Sequence, residues 1–191
     1  MWLGKRVFDI VFSLIGLLVL SPLFLLIALW IKSDSKGPIF FRQKRVGINE
    51  KSFLIHKFRT MDMDAEKKGL KLTVGIDPRI TRSGHFLRKY KIDELPQLID
   101  VFLGDMSIVG PRPEVPQYVE KYPKEQRLKI FQMRPGITDW ASIKFKDENA
   151  ILNKSSDPER AYIEEVLPIK LSYYENYFYQ SSLITDLKII F

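Results

Sequence analysis

The chain has 191 residues, a formal net charge of +7 and no cysteine. This length supports one domain with a substantial core, and the lack of cysteine excludes disulfides and cysteine-bound metals. The positive charge indicates an anionic partner: nucleic acid, a phosphorylated small molecule or an anionic membrane surface. Because the only histidines are His56 and His85, a cation held by oxygens, such as Mg²⁺, fits better than a histidine-rich metal site.

The first long apolar stretch, residues 10–31, contains no charged residue and would be about 33 Å long as a helix, enough to cross a bilayer. Pro22 removes a backbone hydrogen bond in its middle, so a break is predicted at Ser21-Pro22, where the Ser21 hydroxyl can satisfy a freed carbonyl. Basic residues flank both ends, which predicts that both ends are cytoplasmic. We therefore predict a re-entrant membrane hairpin; a kinked spanning helix and a buried core helix are the alternatives.

Two short strands, 39–43 and 53–58, are predicted next, with a hairpin connection at 47–51. The hairpin is strongly basic and follows the membrane segment directly, which favours contact with lipid phosphates. The acidic run at 62–68 is predicted to be a solvated helix or loop.

A pair of adjacent carboxylates, Asp93 and Glu94, lies at the predicted start of another helix. Pro96 suits the first turn of that helix, because the N–H that proline lacks would be unbonded there anyway. Helix N-termini favour negative charge and offer free N–H groups to phosphate. An acidic cap is the simpler interpretation, but basic residues on both sides of the pair favour a site for phosphoryl chemistry.

Two arginines are the predicted phosphate contacts. Arg88 is expected on a helix capped by Ser83, facing the carboxylates. Arg112 stands between Pro111 and Pro113, which fix its backbone and limit the entropy lost on binding an anion. The planar fork of arginine suits phosphate.

The C-terminal part is predicted to be helical. Residues 118–133 form a helix with a break near Pro123, and Asp157-Pro158 begins another helix that Pro168 bends. The aromatic residues at 173–179 suit either a bilayer interface or a core. The predicted fold class is mixed α+β: mostly helical, with a small β-hairpin, the broken membrane helix and interfacial amphipathic helices.

Several motifs along the chain resemble those of the bacterial sugar transferase family, whose members are monotopic phosphoglycosyl transferases. These motifs are Lys5-Arg6 with Asp9, Ser21-Pro22, the stretches 37–43 and 45–47, and the stretches 57–61, 93–98, 104–107 and 110–113. The resemblance covers the chain from its start to about residue 138.

The resemblance implies transfer of a sugar-1-phosphate from a UDP-sugar to undecaprenyl phosphate, with release of UMP and a requirement for Mg²⁺. The sugar is expected to be an N-acetylated or otherwise modified hexose. Asp93 is implied as the nucleophile, which forms a covalent phosphosugar intermediate with ping-pong kinetics, and as a ligand of Mg²⁺. Glu94 would orient groups or handle a proton. Ser21-Pro22 would place the nucleophile beside the lipid phosphate.

The resemblance also implies the remaining binding roles. Arg88 and Arg112 would hold phosphates, with Arg59 as a weaker candidate, and Pro111 and Pro113 would shape the nucleotide pocket. The expected location is the cytoplasmic face of the bacterial inner membrane, at the first membrane step of glycoconjugate assembly.

The expected organisation is a membrane hairpin over residues 1–36 and a cytosolic, membrane-associated catalytic domain over 37–191. Expected partners are membrane phospholipids, downstream glycosyltransferases and a second copy of the chain. Residues 139–149 depart from the pattern of many family members, so the sugar cannot be inherited from them. The alternatives are a non-catalytic membrane adaptor and a nucleic-acid binder; no stacking platform or continuous basic groove supports the latter, and no nucleic-acid partner is expected.

Overall fold

The computed structural model describes residues 3–63, 65, 77–146, 152 and 155–191. The predictions for 62–68 and 139–149 lie partly outside these residues. Within them the fold is mixed α+β, as predicted, and consists mostly of helices with two small sheets. The elements are α1 (Leu3–Asp34), β1 (Phe40–Val46), β2 (Ser52–Phe58), α2 (Arg82–Lys89), α3 (Gln97–Leu103), β3 (Ser107–Val109), α4 (Pro116–Val119), α5 (Lys124–Ile130), β4 (Gly136–Thr138), α6 (Trp140–Lys144), α7 (Pro158–Ala161), α8 (Leu167–Gln180) and α9 (Leu183–Ile190).

The apolar N-terminal helix α1 is 32 residues long and contains Pro22. Its helical backbone continues through the break predicted at Ser21-Pro22. Pro22 has no N–H to donate to the carbonyl of Leu18, and the Ser21 hydroxyl donates to this carbonyl instead, over 2.8 Å. The hydroxyl therefore satisfies the carbonyl, as the sequence predicted, and the helix continues past the proline to Asp34.

Both ends of α1 pack against the rest of the chain. Near its start, buried Lys5 forms an ion pair with Asp186 of α9 and donates to the Tyr177 hydroxyl of α8 over 3.1 Å. Near its end, Ile31 is buried in a cluster with Leu87 of α2.

Between these two attachments α1 is exposed. Only 11% of its most apolar 18-residue stretch is buried within the protein. Such exposure is the opposite of what a core helix of a soluble protein shows, so the core-helix alternative fails. The exposed side chains include Leu14, Ile15, Leu18, Val19, Leu25 and Leu26.

The predicted hairpin is confirmed. β1 and β2 pair antiparallel along their whole length, from Phe40 opposite Phe58 to Val46 opposite Ser52. The first strand is longer than predicted, because the basic residues after 43 also alternate across the pleat and join the ladder.

The cap of α2 differs from the prediction. Thr81, not Ser83, caps this helix, since its hydroxyl accepts from the Gly84 N–H over 3.0 Å. Ser83 instead donates from both its N–H and its hydroxyl to Asp34, each over 2.7 Å. Ser83, which was predicted to cap α2, therefore connects α2 to the end of α1 through Asp34.

A second sheet was missed by the sequence reading. β3 and β4 pair in parallel, with Ser107 opposite Gly136 and Val109 opposite Thr138. Each strand has three residues, and the sequence analysis predicts no strand at either position.

The largest core cluster lies under the C-terminal helices. It joins Tyr118 of α4 to Leu171 and Tyr174 of α8. The predicted break near Pro123 is confirmed, because this proline caps α5. Of the aromatic run at 173–179, Tyr174 and Tyr177 are buried, so the core interpretation holds for them, while Tyr179 is exposed.

Candidate active site

A tight turn presents the two adjacent carboxylates. Asp93 and Glu94 lie in a one-turn 3₁₀ helix, Ile92–Glu94, between α2 and α3. Lys91, just before it, has φ of 55°, a left-handed conformation that few residues other than glycine adopt. Pro96 is the N-cap of α3, one position before the first-turn position predicted for it.

Glu94 is held by two cations. It accepts from the Lys57 ammonium over 2.7 Å, and its two oxygens accept from the two terminal guanidinium nitrogens of Arg112. Burial by itself would raise the pKa of Glu94, but the charges of Arg112 and Lys57 hold this pKa well below its usual value. Glu94 is therefore ionised at neutral pH, and both of its oxygens are engaged.

Asp93 has a different environment. The residue is 9% exposed, and burial raises the pKa of its carboxyl above the usual value, although Lys57 and Arg88 oppose this shift. Among the residues that the structure describes, no cation forms an ion pair with Asp93, in contrast to Glu94. A carboxylate that is surrounded by cations but not neutralised by direct contact is suited to nucleophilic attack on an anionic phosphoryl group.

The loop that carries Arg112 is fixed by the small parallel sheet. Gly136 of β4 donates to the Pro111 carbonyl over 2.9 Å, and Arg45 donates to the Pro113 carbonyl over 3.0 Å. The charge of Glu94 raises the pKa of Arg112 further, so this guanidinium stays cationic. The two prolines are buried beside the arginine, as expected for residues that shape the loop.

Arg88 reaches the same site from α2. Its Nε donates to the Thr60 hydroxyl over 2.9 Å, and its charge lowers the pKa of Asp93. Burial lowers the pKa of Arg88, while the carboxylates of Asp93 and Asp77 raise it. This position depends on Gly84, because a Cβ there would lie 2.1 Å from the Thr60 carbonyl oxygen. The structure thus brings Asp93, Glu94, Arg88 and Arg112 together.

Arg59, the weaker phosphate candidate, is bonded elsewhere. Its Nε and both terminal nitrogens donate to the carbonyls of Pro38, Lys36 and Ser35, over 2.7, 2.8 and 2.8 Å. The residue is also buried. These contacts favour a structural role, holding the connection between α1 and β1, over the predicted phosphate contact.

Lys57 is a site residue that the sequence analysis assigned only to a basic hairpin. It contacts Glu94, and burial lowers the pKa of its ammonium although the charges of Glu94 and Asp93 oppose this. A signal was present in the sequence: side chains alternate along a strand, so Lys57 shares a face with Ile55, which is buried.

Asp139 is a second residue that was not predicted for the site. It is buried, and its carboxylate accepts from the Ser142 N–H over 2.9 Å at the start of α6. Burial raises the pKa of Asp139, against the charges of Arg112 and Lys170. The divergent stretch that begins here therefore adds a buried carboxylate that interacts electrostatically with Arg112.

Residues 1–191 match the family model described as bacterial sugar transferase. One relative is an undecaprenyl-phosphate glucose phosphotransferase of Komagataeibacter xylinus, 44% identical over 151 residues that cover 74% of this chain and 28% of that protein. Another is a UDP-N-acetylgalactosamine-undecaprenyl-phosphate N-acetylgalactosaminephosphotransferase of Aeromonas hydrophila, 42% identical over 141 residues, 73% of this chain and 33% of that protein.

This chain therefore spans about a third or less of these two relatives. A third relative is similar over nearly its full length: the exopolysaccharide production protein PSS of Rhizobium leguminosarum bv. phaseoli is 39% identical over 202 residues, 98% of this chain and 91% of that protein. Because the family model matches residues 1–191, the chain belongs to the bacterial sugar transferase family.

Proposed function

We propose that the protein transfers a sugar-1-phosphate from a UDP-sugar to undecaprenyl phosphate, giving undecaprenyl-diphosphate-sugar and UMP. The observation that carries this proposal is the contrast between two carboxylates: Asp93 is buried among cations and has no ion pair within the described part of the chain, whereas Glu94 is held by Arg112 and Lys57. The names of the relatives support undecaprenyl phosphate as the acceptor. The relatives are named for different sugars, glucose in one and N-acetylgalactosamine in the other; for this chain we propose a hexose, N-acetylated or otherwise modified.

In the first step, an oxygen of the Asp93 carboxylate attacks the phosphorus that carries the sugar. A bond forms between Asp93 and this phosphorus, the bond from the phosphorus to the bridging oxygen breaks, and UMP leaves with that oxygen. The charges of Arg88 and Arg112 both act to lower the pKa of the nucleophile, and the two guanidinium groups would balance the phosphate charge. Lys57 and Glu94 keep Arg112 and the nucleophile in position.

In the second step, a phosphate oxygen of the lipid attacks the same phosphorus. The bond to Asp93 breaks, and the carboxylate is restored with its original charge. Two displacements at one phosphorus produce ping-pong kinetics. Because the nucleotide leaves before the lipid reacts, the two steps can be measured separately.

The residues present fit a bound Mg²⁺, which would neutralise charge on the transferring phosphate. No group of three acidic or histidine side chains in the described part of the chain forms a metal site. Mg²⁺, however, is commonly held by one or two carboxylates together with substrate phosphates. Asp93 can supply such a carboxylate, whereas both oxygens of Glu94 are engaged. We propose Asp93 as the protein ligand.

The attachments of α1 support a re-entrant, monotopic arrangement, and the basic residues that flank its apolar stretch favour the cytoplasmic face. The helix is long and apolar enough to cross a membrane. Its start is joined to Asp186 through Lys5, and its end to Ser83 through Asp34. Both partners belong to the part of the chain that follows α1, and this supports a placement of the two ends of α1 on one side of the bilayer.

Because the chain has no cysteine, single cysteines at three exposed positions test this topology: Gly4→Cys, Ser33→Cys and, as a marker of the domain, Lys146→Cys. We expect a membrane-impermeant maleimide to label all three in inverted inner-membrane vesicles and none in intact spheroplasts. Labelling of Gly4→Cys and Ser33→Cys from opposite sides would establish a spanning helix instead.

UMP release from a panel of UDP-sugars tests the activity. The wild type is expected to release UMP with undecaprenyl phosphate and Mg²⁺, and Asp93→Asn is expected to release none. Asp105→Asn, which changes an exposed acid, is the control and should keep full activity. Equal release by wild type and Asp93→Asn would exclude the mechanism. Binding of the wild type to anionic vesicles without UMP release from any UDP-sugar would favour the adaptor alternative.

A further inference from the structure

A row of exposed aromatic rings leads from the membrane helix toward the nucleophile. Trp30 of α1 lies 5.4 Å from Phe86 of α2, between ring centroids, and Phe86 lies 4.8 Å from Tyr90. The three residues are 39%, 45% and 56% exposed. Large apolar side chains that form a continuous exposed surface mark an interaction site more often than scattered ones do.

The opposite face of α2 serves the active site. Leu87 is fully buried. Arg88 donates a hydrogen bond to Thr60, and its charge opposes the upward shift of the Asp93 pKa. The row ends at Tyr90, three positions before the nucleophile. One short helix therefore carries a catalytic-site cation on one face and an apolar surface on the other.

We propose that the row Trp30–Phe86–Tyr90 binds the first isoprene units of the lipid phosphate acceptor and so guides its phosphate to the phosphosugar on Asp93. This inference rests on the proposed function and assigns the acceptor a position. The reaction it serves is the second displacement, in which the lipid phosphate oxygen forms a bond to phosphorus as the bond to Asp93 breaks.

Two observations favour this occupant. The row continues the exposed apolar surface of α1, where Leu26 and Leu29 are 65% and 61% exposed, so a chain leaving the bilayer along α1 meets Trp30 next. At its other end the row is basic: the Lys89 ammonium lies 5.4 Å from the Tyr90 ring centroid, and Lys91 is exposed beside it. An apolar surface that ends in cations is complementary to a long hydrocarbon chain that ends in phosphate.

The donor substrate does not match this surface. A nucleotide sugar has no apolar chain to cover three aromatic rings, and its own negative charge is met by the buried cations around Asp93. Loss of the row should therefore affect the lipid step and leave the nucleotide step unchanged.

The test separates the two steps with the double variant Phe86→Ser/Tyr90→Ser. Leu128→Ser on α5 is the matched control, because Leu128 is equally apolar and 61% exposed. We expect the double variant to give the wild-type burst of UMP from a UDP-sugar without acceptor. Its KM for undecaprenyl phosphate in nanodiscs should rise about tenfold, while Leu128→Ser changes neither value.

A binding measurement completes the test without requiring turnover. Native mass spectrometry of the detergent-solubilised protein counts bound undecaprenyl phosphate, which should be retained by Leu128→Ser and lost from the double variant. An unchanged KM, or equal lipid binding by both variants, overturns the proposal. A higher KM that is accompanied by an equal loss of adsorption to vesicles of ordinary phospholipid overturns it too, because the row would then be a membrane-interface contact. Lipid binding without any UMP burst in the wild type would instead contradict the proposed function.

Discussion

The carboxylates of Asp93 and Glu94 are adjacent in the chain and have opposite electrostatic environments. Burial raises the pKa of Asp93 above its usual value, whereas Arg112 and Lys57 hold the pKa of Glu94 well below its own. The difference comes from direct contact: Glu94 is bonded to both cations, whereas among residues 3–63, 65, 77–146, 152 and 155–191 no cation is paired with Asp93. One carboxylate organises the site and leaves the other available for reaction.

This contrast predicts that Asp93→Asn stabilises the fold while it removes activity by at least about 10³-fold. The folded state disfavours the charged form of Asp93, since the pKa of this carboxyl is raised on folding. The free energy of unfolding is therefore higher at pH values below the pKa that Asp93 has in the unfolded chain. It decreases as the pH rises through the pKa that Asp93 has in the folded protein. Asparagine avoids that loss.

Thermal unfolding in detergent at several pH values measures this effect. The Tm of Asp93→Asn should exceed that of the wild type at pH 7, and the difference should shrink toward pH 3. A variant that is less stable than the wild type at pH 7 would show that the charged carboxylate is favoured in the folded protein.

Glu94→Gln should have the opposite effect on stability. Glutamine leaves Arg112 and Lys57 without their counter-charge, and loss of one partner from a fully buried pair costs about 3–5 kcal/mol. Since the Arg112 side chain is 34% exposed, we expect a smaller loss, about 2 kcal/mol. The loss of stability should be greatest at neutral and alkaline pH. The pKa of Glu94 is lowered on folding, so its carboxylate stabilises the fold at pH values above the pKa in the unfolded chain, and acidification removes this contribution.

The exposed pair between Glu50 and Arg127 provides the control. Its side chains are 40% and 34% exposed, so Glu50→Gln should cost less than about 1 kcal/mol. Urea unfolding of both variants compares the two pairs. Equal losses would mean that the contacts of Glu94 contribute no more than a surface ion pair.

Local patterns predicted much of this fold. The hairpin of β1 and β2, the helix that follows Asp93-Glu94 and the break near Pro123 were found because alternation, proline and charge act within a few residues. The contact between the Ser21 hydroxyl and a freed carbonyl was also predictable, since the donor and the missing N–H are neighbours.

Long-range contacts were not predictable in the same way. β3 and β4 are three residues each and have no repeating pattern, and their pairing joins Ser107 to Gly136, 29 positions apart. Ser83 looked like a cap because its true acceptor, Asp34, lies at the end of a distant helix. For Lys57, one feature was predictable and one was not. The alternation of β2 puts Lys57 on the same face as buried Ile55, but its partner Glu94 is known only from the fold.

Arg59 allows a structural role to be distinguished from a substrate contact. The three carbonyls that it bonds belong to the segment between α1 and β1. Arg59→Gln should therefore lower the free energy of unfolding by about 2 kcal/mol and leave the KM for the UDP-sugar within about twofold. Steady-state kinetics at a temperature where the variant remains folded, together with urea unfolding, measure both. A higher KM at unchanged stability would restore Arg59 to the phosphate site.

The last prediction concerns the close approach of β3 and β4. A Cβ at Gly136 would lie 2.1 Å from the backbone nitrogen of Gly110, and backbone atoms cannot move aside as a side chain can. Gly136→Ala should therefore separate the strands, release the loop that carries Arg112 and abolish UMP release, with a lower Tm. Gly16→Ala is the control, because a Cβ there meets the end of the flexible Leu98 side chain, at 3.1 Å, and it should retain most activity. Full activity in Gly136→Ala would mean that the small sheet does not position Arg112.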